Sequence, residues 1–298
     1  VTGLMLRHRG LDHFHSFGHH LPMAPTVPAS FTIHDFRSVD FRGGSGKTKT
    51  RLERNIDKAS GVICLTEQGK RRLVQYRPGM DPDRIAVIPH GVDHKIYRPV
   101  GIDTIRSTTD AYELSRPFVL QLGSWFPHKN LELAIRAFAN SRIRSEGYQL
   151  LFVGGGASRE YRKKLERIAD QEKLRDIRWI EQIPEADLAH LMAGASCLLQ
   201  PSRYEGFGLP IIEAMATAIP GVTSTSSCLQ EVSADIWPSC DVDDVRGFAR
   251  HMDQVCLDEG SRKRIIDQGL AHASTFTWQR SAVKTVEFLT RLAQLEAK

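Results

Sequence analysis

The sequence predicts an α/β protein made of two doubly wound, parallel-sheet domains. Three observations carry this. Short apolar strings (Phe31-Thr32-Ile33, residues 61–65 and residues 85–88) recur with polar, helix-compatible stretches between them. Strands that alternate with helices imply a parallel sheet. A second series opens at Phe118 with a strand, a glycine turn and a helix, which is how a doubly wound domain begins. The 298 residues, 41% hydrophobic and 25% charged, suffice for two cores. The expected division is 1–98, 99–279 and a closing helix over 280–298.

Residues 1–11 have weak helical character, and a strand is expected around 12–15. A complete doubly wound unit should open with a strand and a glycine turn, which is not seen here, so roughly the first three strands are expected to be absent or not included in this numbering. Helices are expected over 49–59 and 68–76. His13, His15 and His19 have usable metal spacing, but no cysteine or well-placed carboxylate completes a site, so no metal is expected. GGSGKTKT at 43–50 imitates a phosphate-binding loop. Its first glycine position holds Phe41 and no strand leads in, so it reads as a basic loop and not a P-loop. Residues 98–116 are polar without clear period and read as a linker.

In the second half, strand 118–122 leads to Gly123 and Ser124, then His128-Lys129-Asn130 and a helix over 131–140. This is a phosphate-binding layout. Lys129 serves as a point charge and His128 as a second donor. Strand 149–153 ends at Gly154-Gly155-Gly156, whose backbone amides can approach a ligand. A charged helix over 161–171, a strand over 177–180, a helix over 186–194 and a strand over 195–202 follow. The stretch PSRYEGFGLPIIEAMATAIP at 201–220 then places Glu205 in a loop with Gly206, Phe207 and Gly208. Pro210 opens a helix with Glu213 in its first turn, and free N–H groups at such an end attract anions. The triplet Asp241-Val242-Asp243 lies outside this pattern. Val283, Val286, Phe288, Leu289, Leu292 and Leu295 give the last helix a packing face.

No apolar run approaches the roughly 20 residues of a membrane span, and the opening VTGLMLRHRG has no apolar centre of a signal peptide. The five cysteines form no CxxC pair, which fits buried thiols in a reducing compartment. The net charge of +5 is uneven: residues 1–100 carry 16 Lys and Arg against 9 Asp and Glu, or +7. That excess fits contact with anionic lipid headgroups or a phosphate-bearing acceptor, and equally a solvated basic surface.

The 201–220 stretch, with its two glutamates seven residues apart, resembles the signature of glycosyltransferase family 4, retaining enzymes of the two-lobed GT-B fold. DHFHSFGHHLP at 12–22 resembles the family's Asp-x-x-His element, with His15 at the matching histidine. Phe17 stands where many members carry a second one, so His19, His20 or His34 are alternatives. Thr32-Ile33-His34-Asp35 resembles an element facing the ligand cleft. Residues 87–93 resemble the Ile-Pro-Asn-Gly-Val-Asp that closes the first lobe, with His90 for Asn and with Gly91 expected at positive φ. Ser124 replaces the usual Arg.

The resemblance implies transfer of a hexose from a nucleoside-diphosphate sugar to an acceptor hydroxyl, with no metal or other cofactor. Glu205, His34 and His15 would act at the reacting sugar. Ser124, His128, Lys129, Ile183, Gly206, Phe207, Gly208, Leu209 and Glu213 would hold the donor. The pattern is similar to bacterial polysaccharide mannosyltransferases, which favours GDP-mannose, with UDP-sugars open. A glycan or lipid-linked acceptor, no nucleic acid, and a cytoplasmic location at the inner membrane face follow from the same resemblance. A sugar-nucleotide epimerase or a non-catalytic nucleotide-sugar binder are the alternatives.

Overall fold

The computed structural model describes residues 11–18, 20–22, 27–40 and 46–296. In chain order the elements are β1 (Phe14–Ser16), β2 (Ala29–Ile33), α1 (Arg37–Asp40), α2 (Gly46–Lys58), β3 (Gly61–Cys64), α3 (Glu67–Tyr76), β4 (Ile85–Val87), α4 (Ile102–Ala111), β5 (Phe118–Ser124), α5 (Leu131–Ala139), β6 (Gln149–Gly155), α6 (Arg159–Gln171), β7 (Ile177–Ile180) and α7 (Glu185–Gly194). They continue with β8 (Cys197–Gln200), α8 (Leu209–Ala216), β9 (Gly221–Ser224), α9 (Leu229–Ser233), β10 (Ser239–Cys240), α10 (Val245–Leu257), α11 (Glu259–Ala273) and α12 (Trp278–Glu296).

The chain divides into two compact units. The first comprises Val1–Gly91, Glu205–Phe207 and Thr277–Lys298; the second comprises Val92–Tyr204 and Gly208–Phe276. The crossings thus fall after Gly91 and Phe276, where the sequence suggested 98 and 279. Within the second unit these two ends are stitched side by side, Val92 N–H donating to the Phe276 carbonyl at 3.1 Å.

The first unit has a parallel sheet in the order β1-β2-β3-β4. Side chains alternate between its faces. Cys64 lies under α3, where a Cβ at Gly69 would come 3.7 Å from its own. Ile63 faces the other way and joins Ile88, Phe288 and Leu292 in a core beneath α12. Gly61 is needed for this approach, because a side chain there would run into Leu292 and Phe288.

Two expectations are corrected here, and one lies outside the described residues. Residues 43–45 lie outside the described residues, but from Gly46 onward the basic loop is helical, because Leu52 and Ile56, one turn apart, are buried. The expected helix over 1–11 and His19 also fall outside the described residues, apart from exposed Leu11. The packing face of α12 is narrower than its apolar content. Phe288 and Leu292 are buried, whereas Val283, Val286 and Leu295 are 52%, 63% and 43% exposed. At 100° per residue Val283 and Val286 point more than 90° away from the packed arc of Phe288 and Leu292.

The second unit has a parallel sheet in the order β10-β9-β8-β5-β6-β7. Counted from β5 this is the doubly wound order in which the chain reverses direction across the sheet between β5 and β8. Ligands of such sheets bind at the carboxyl ends of the strands at that point. Residues 98–116, read as linker, contain α4. This helix packs on α7 inside the second unit, with Ile105 against Gly194 and the Tyr112 hydroxyl donating to Asp187 at 2.8 Å. Its polar face is the solvent side of a surface helix.

Candidate functional site

At the switch point of the second unit, β5 ends in Gly123 and Ser124 and runs through a 3-10 turn (Pro127–Lys129) into α5. Gly123 takes a φ of 126° and Gly154 one of 148°, values open to glycine. A side chain at Gly154 would collide with the Gly123 carbonyl. The Lys129 ammonium lies over Gly123, 3.5 Å from where a Cβ there would sit. Gly155 neighbours the Glu181 carbonyl in the same way, at 3.6 Å, which sets the segment carrying half-buried Ile183 beside the glycines. His128, expected as a second donor, is instead buried, its ring stacked 6.1 Å from Phe126.

Two features fix this loop. Trp125 is 1% exposed and packs edge-on against Trp179, which stacks on Phe152 at 4.3 Å; the Arg162 guanidinium lies 4.0 Å over Trp179 and 5.2 Å over Trp125. Asn130, at φ 57°, donates from Nδ2 to the carbonyls of Pro201 at 3.2 Å and Val242 at 2.8 Å. It thereby ties the start of α5 to the chain leaving β8. The Asp241-Val242-Asp243 triplet has a structural part here, and Asp243 pairs with Arg203 at 2.7 Å.

The second glutamate stands on α8. This helix starts at Leu209 with Gly208 before it at φ 93° and no side-chain cap. Glu213 is therefore one residue further in than expected, just past the first turn, because Leu209 and not Pro210 is the first helical residue. Burial, with Glu185 adding repulsion, holds its carboxyl at about 7 against an ordinary 4.5. Tyr97 is buried beside both carboxyls, hydrogen-bonded to Glu185, and its phenol is pushed well up by burial and by these two groups.

In the first unit the predicted histidines separate. His15 is spent within the sheet, its ring nitrogens 2.7 Å from Ser30 Oγ and 3.1 Å from Thr32 Oγ1. Burial, and then His13, push it down to about 4. The matching motif places the residue on an interior face of β1, not at the strand's end. His34 stands at the end of β2 and donates from Nε2 to the Phe17 carbonyl at 2.6 Å. Its ring stacks 5.4 Å from His90, which also meets Phe207 at 5.4 Å and Trp278 at 5.3 Å. Burial, and then His34, lower His90 to about 4. Gly91 does not take a positive φ; it is required because any side chain would strike the backbone of Thr277 and Trp278.

Glu205, Gly206 and Phe207 belong to this first unit, with Gly206 against the His34 carbonyl. The predicted residues thus fall into two groups. His34 and Glu205 to Phe207 gather in the first unit, and Ser124, Lys129, Ile183, Gly208, Leu209 and Glu213 belong to the second. Sequence reasoning missed Tyr97, Asn130 and Glu185. An Asn directly before a helix was a usable signal, since Asn tolerates left-handed backbone. Among the described residues no group of three His, Cys, Asp or Glu could hold a metal ion, and no helix is long and apolar enough to cross a membrane.

Two parallel α/β units, the second with a glycine-and-lysine turn at its switch point, define the doubly wound class of protein, whose ligands bind at that point. Comparison with known proteins narrows this. A profile described as glycosyl transferases group 1 matches residues 109–272, and one described as Glycosyltransferase Family 4 matches residues 4–96. The chain belongs to the group 1 glycosyl transferases, and its fold is GT-B. Similar relatives include the O-antigen chain mannosyltransferase B of Escherichia coli, 30% identical over 79% of this chain and 61% of the relative. Another is the D-inositol 3-phosphate glycosyltransferase of a Nocardioides species, 26% identical over 89% of this chain and 62% of the relative. The chain spans about three-fifths of the length of these two. Among solved structures, sucrose-phosphate synthase of Thermosynechococcus elongatus aligns with a TM-score of 0.80 at 21% identity, covering 100% of this chain and 77% of that one. Anabaena HepE in complex with UDP and glucose aligns with a TM-score of 0.77 at 19% identity, covering 89% and 72%.

Proposed function

We propose that the chain transfers a hexose from a nucleoside-diphosphate sugar to an acceptor hydroxyl with retention of configuration. The observation that carries this reading is the second unit's turn, where Lys129 lies over Gly123 and against it Gly154 admits no side chain. A bare backbone under a cation suits a diphosphate. In this reading Lys129, Ser124 and the amides near Gly208 and Leu209 hold the diphosphate, Ile183 meets the base, and Glu213 accepts hydrogen bonds from the ribose hydroxyls. Glu205 does the same for the donor sugar, and His34 serves the acceptor side. The leaving diphosphate takes the acceptor proton on the same face, so the protein supplies positioning and charge stabilisation. No metal enters this scheme.

Relatives named as mannosyltransferases support mannose as the sugar, and GDP-mannose as the donor. The acceptor is read as a glycan or lipid-linked sugar in polysaccharide or glycolipid synthesis, met at the inner face of a membrane by a cytoplasmic protein. His15, with both nitrogens engaged, favours one rival, a nucleotide-sugar binder without turnover. Incubating the chain with a panel of nucleotide sugars and candidate acceptors, scoring released GDP or UDP, separates the two. Lys129→Ala should slow release about ten- to a hundredfold, since a hydrogen bond to a charged group contributes about 1.5–3 kcal/mol. Unchanged turnover in that variant would remove the diphosphate assignment.

A further inference from the structure

We propose that Tyr97 is a positioning residue for the donor nucleotide: its hydroxyl, bonded to Glu185, ties down the start of α7 and screens Glu213 from the Glu185 carboxylate, and so sets the pH range over which nucleotide binds. This role rests on the reading of Glu213 as the partner of the ribose, and extends it to two residues that the sequence did not single out. All three belong to the second unit.

The backbone fixes the root of Tyr97. The Asp93 carbonyl accepts from the N–H groups of Ile96 at 3.0 Å and of Tyr97 at 2.8 Å, and the Asp93 carboxylate accepts from the Lys95 N–H at 2.9 Å. The Tyr97 ring is 5% exposed. Its hydroxyl donates to Glu185, the first residue of α7 and the second after Ile183. A phenylalanine would fill the same space. The hydroxyl adds a bond from the turn at 93–97 to the segment read as meeting the base. Among the described residues no group donates a hydrogen bond to the Glu213 carboxyl. A carboxyl in that state lacks the bonds that favour its charged form, and ribose hydroxyls supply them.

Among the described residues the charge acting on Glu213 is that of Glu185, and Tyr97 is the other titratable group beside it. The neighbouring helices bring apolar contacts: α11 meets α8 through Gly269 against Met215, and α9 meets its start through Leu229 against Gly208. Burial, and then Glu185, hold the Glu213 carboxyl at about 7. The Tyr97 hydroxyl turns its hydrogen towards Glu185 and offsets part of that repulsion. A carboxylate accepts from ribose hydroxyls more strongly than a protonated carboxyl does. Nucleotide binding therefore favours the ionised form and releases the proton, so affinity falls as pH drops through about 7. Without the hydroxyl the repulsion is unscreened and the fall moves to higher pH. Without the Glu185 charge it moves to lower pH.

The test titrates the intact chain with GDP-mannose and with UDP-glucose, whose diphosphates do not titrate near neutrality, from about pH 5.5 to 8.5. Calorimetry in buffers of different ionisation enthalpy reads affinity and released protons together. The wild type should release about half a proton at about pH 7. Tyr97→Phe should bind about threefold or more weakly at about pH 6.5, with its profile moved to higher pH. Glu185→Gln keeps an oxygen for the Tyr97 hydroxyl but removes the charge; it should bind about threefold more tightly than the wild type at about pH 6, with its profile moved to lower pH. The role of Tyr97 is overturned if Tyr97→Phe keeps the wild-type profile, whatever its Tm, or if Glu185→Gln does not move the profile down. Either result, with the wild type binding, leaves the transferase reading standing. No binding of either nucleotide sugar by the wild type at any pH removes that reading and the role of Tyr97 with it.

Discussion

Glu213→Gln should stabilise the protein in alkali while weakening its hold on nucleotide. Burial and Glu185 raise the Glu213 carboxyl to about 7 from 4.5. Between those values the native state binds more protons than the unfolded chain, so stability falls as pH rises through the window and the loss is complete above it. At about 1.4 kcal/mol per unit, the displacement corresponds to about 3 kcal/mol. Gln does not ionise. At about pH 4, below both values, the two proteins should melt together. At about pH 8.5 the variant should be about 3 kcal/mol ahead, or about 6–12 °C in Tm at about 2–4 °C per kcal/mol. Nucleotide affinity at the same pH should fall about tenfold or more, because a carboxylate that accepts from ribose hydroxyls contributes about 1.5–3 kcal/mol. Thermal melts from about pH 4 to 8.5, with nucleotide titrations, measure both. A variant whose melting temperature runs parallel to the wild type at every pH would refute the burial argument.

Three further outcomes are expected. Glu205→Ala should lose most transfer activity with a melting temperature close to wild type; a large fall in Tm would instead make Glu205 structural. Gly61→Val should destabilise the first unit by about 1–3 kcal/mol by forcing Leu292 and Phe288 off the sheet, read in urea unfolding. Asn130→Ala should cost about 1–3 kcal/mol, because the Pro201 and Val242 carbonyls lose their donor, and it should raise the KM for donor through the turn beside it.

The second unit was the more legible half. Its strands are apolar on both faces, as in β5, where Phe118 to Leu122 are all buried, and glycines punctuate their ends. What escaped was long-range. Tyr97 lies in a polar stretch, and nothing local signals that its ring reaches Glu185 and Glu213. The α4 helix hid for a similar reason, since a surface helix packed on one neighbour shows a weak apolar stripe. His15 shows that a motif gives a position but not a direction: its ring lies against Ser30 and Thr32.

The stack of Phe152, Trp179, Arg162 and Trp125 gives the turn after β5 a foundation made entirely of side chains behind it. Its backbone is cast before any nucleotide arrives, so capture spends little freedom on arranging the amides. The same rigidity fixes the price of change: drift in donor preference has to come from residues facing the base and sugar, because reshaping this turn would mean rebuilding the aromatic column underneath.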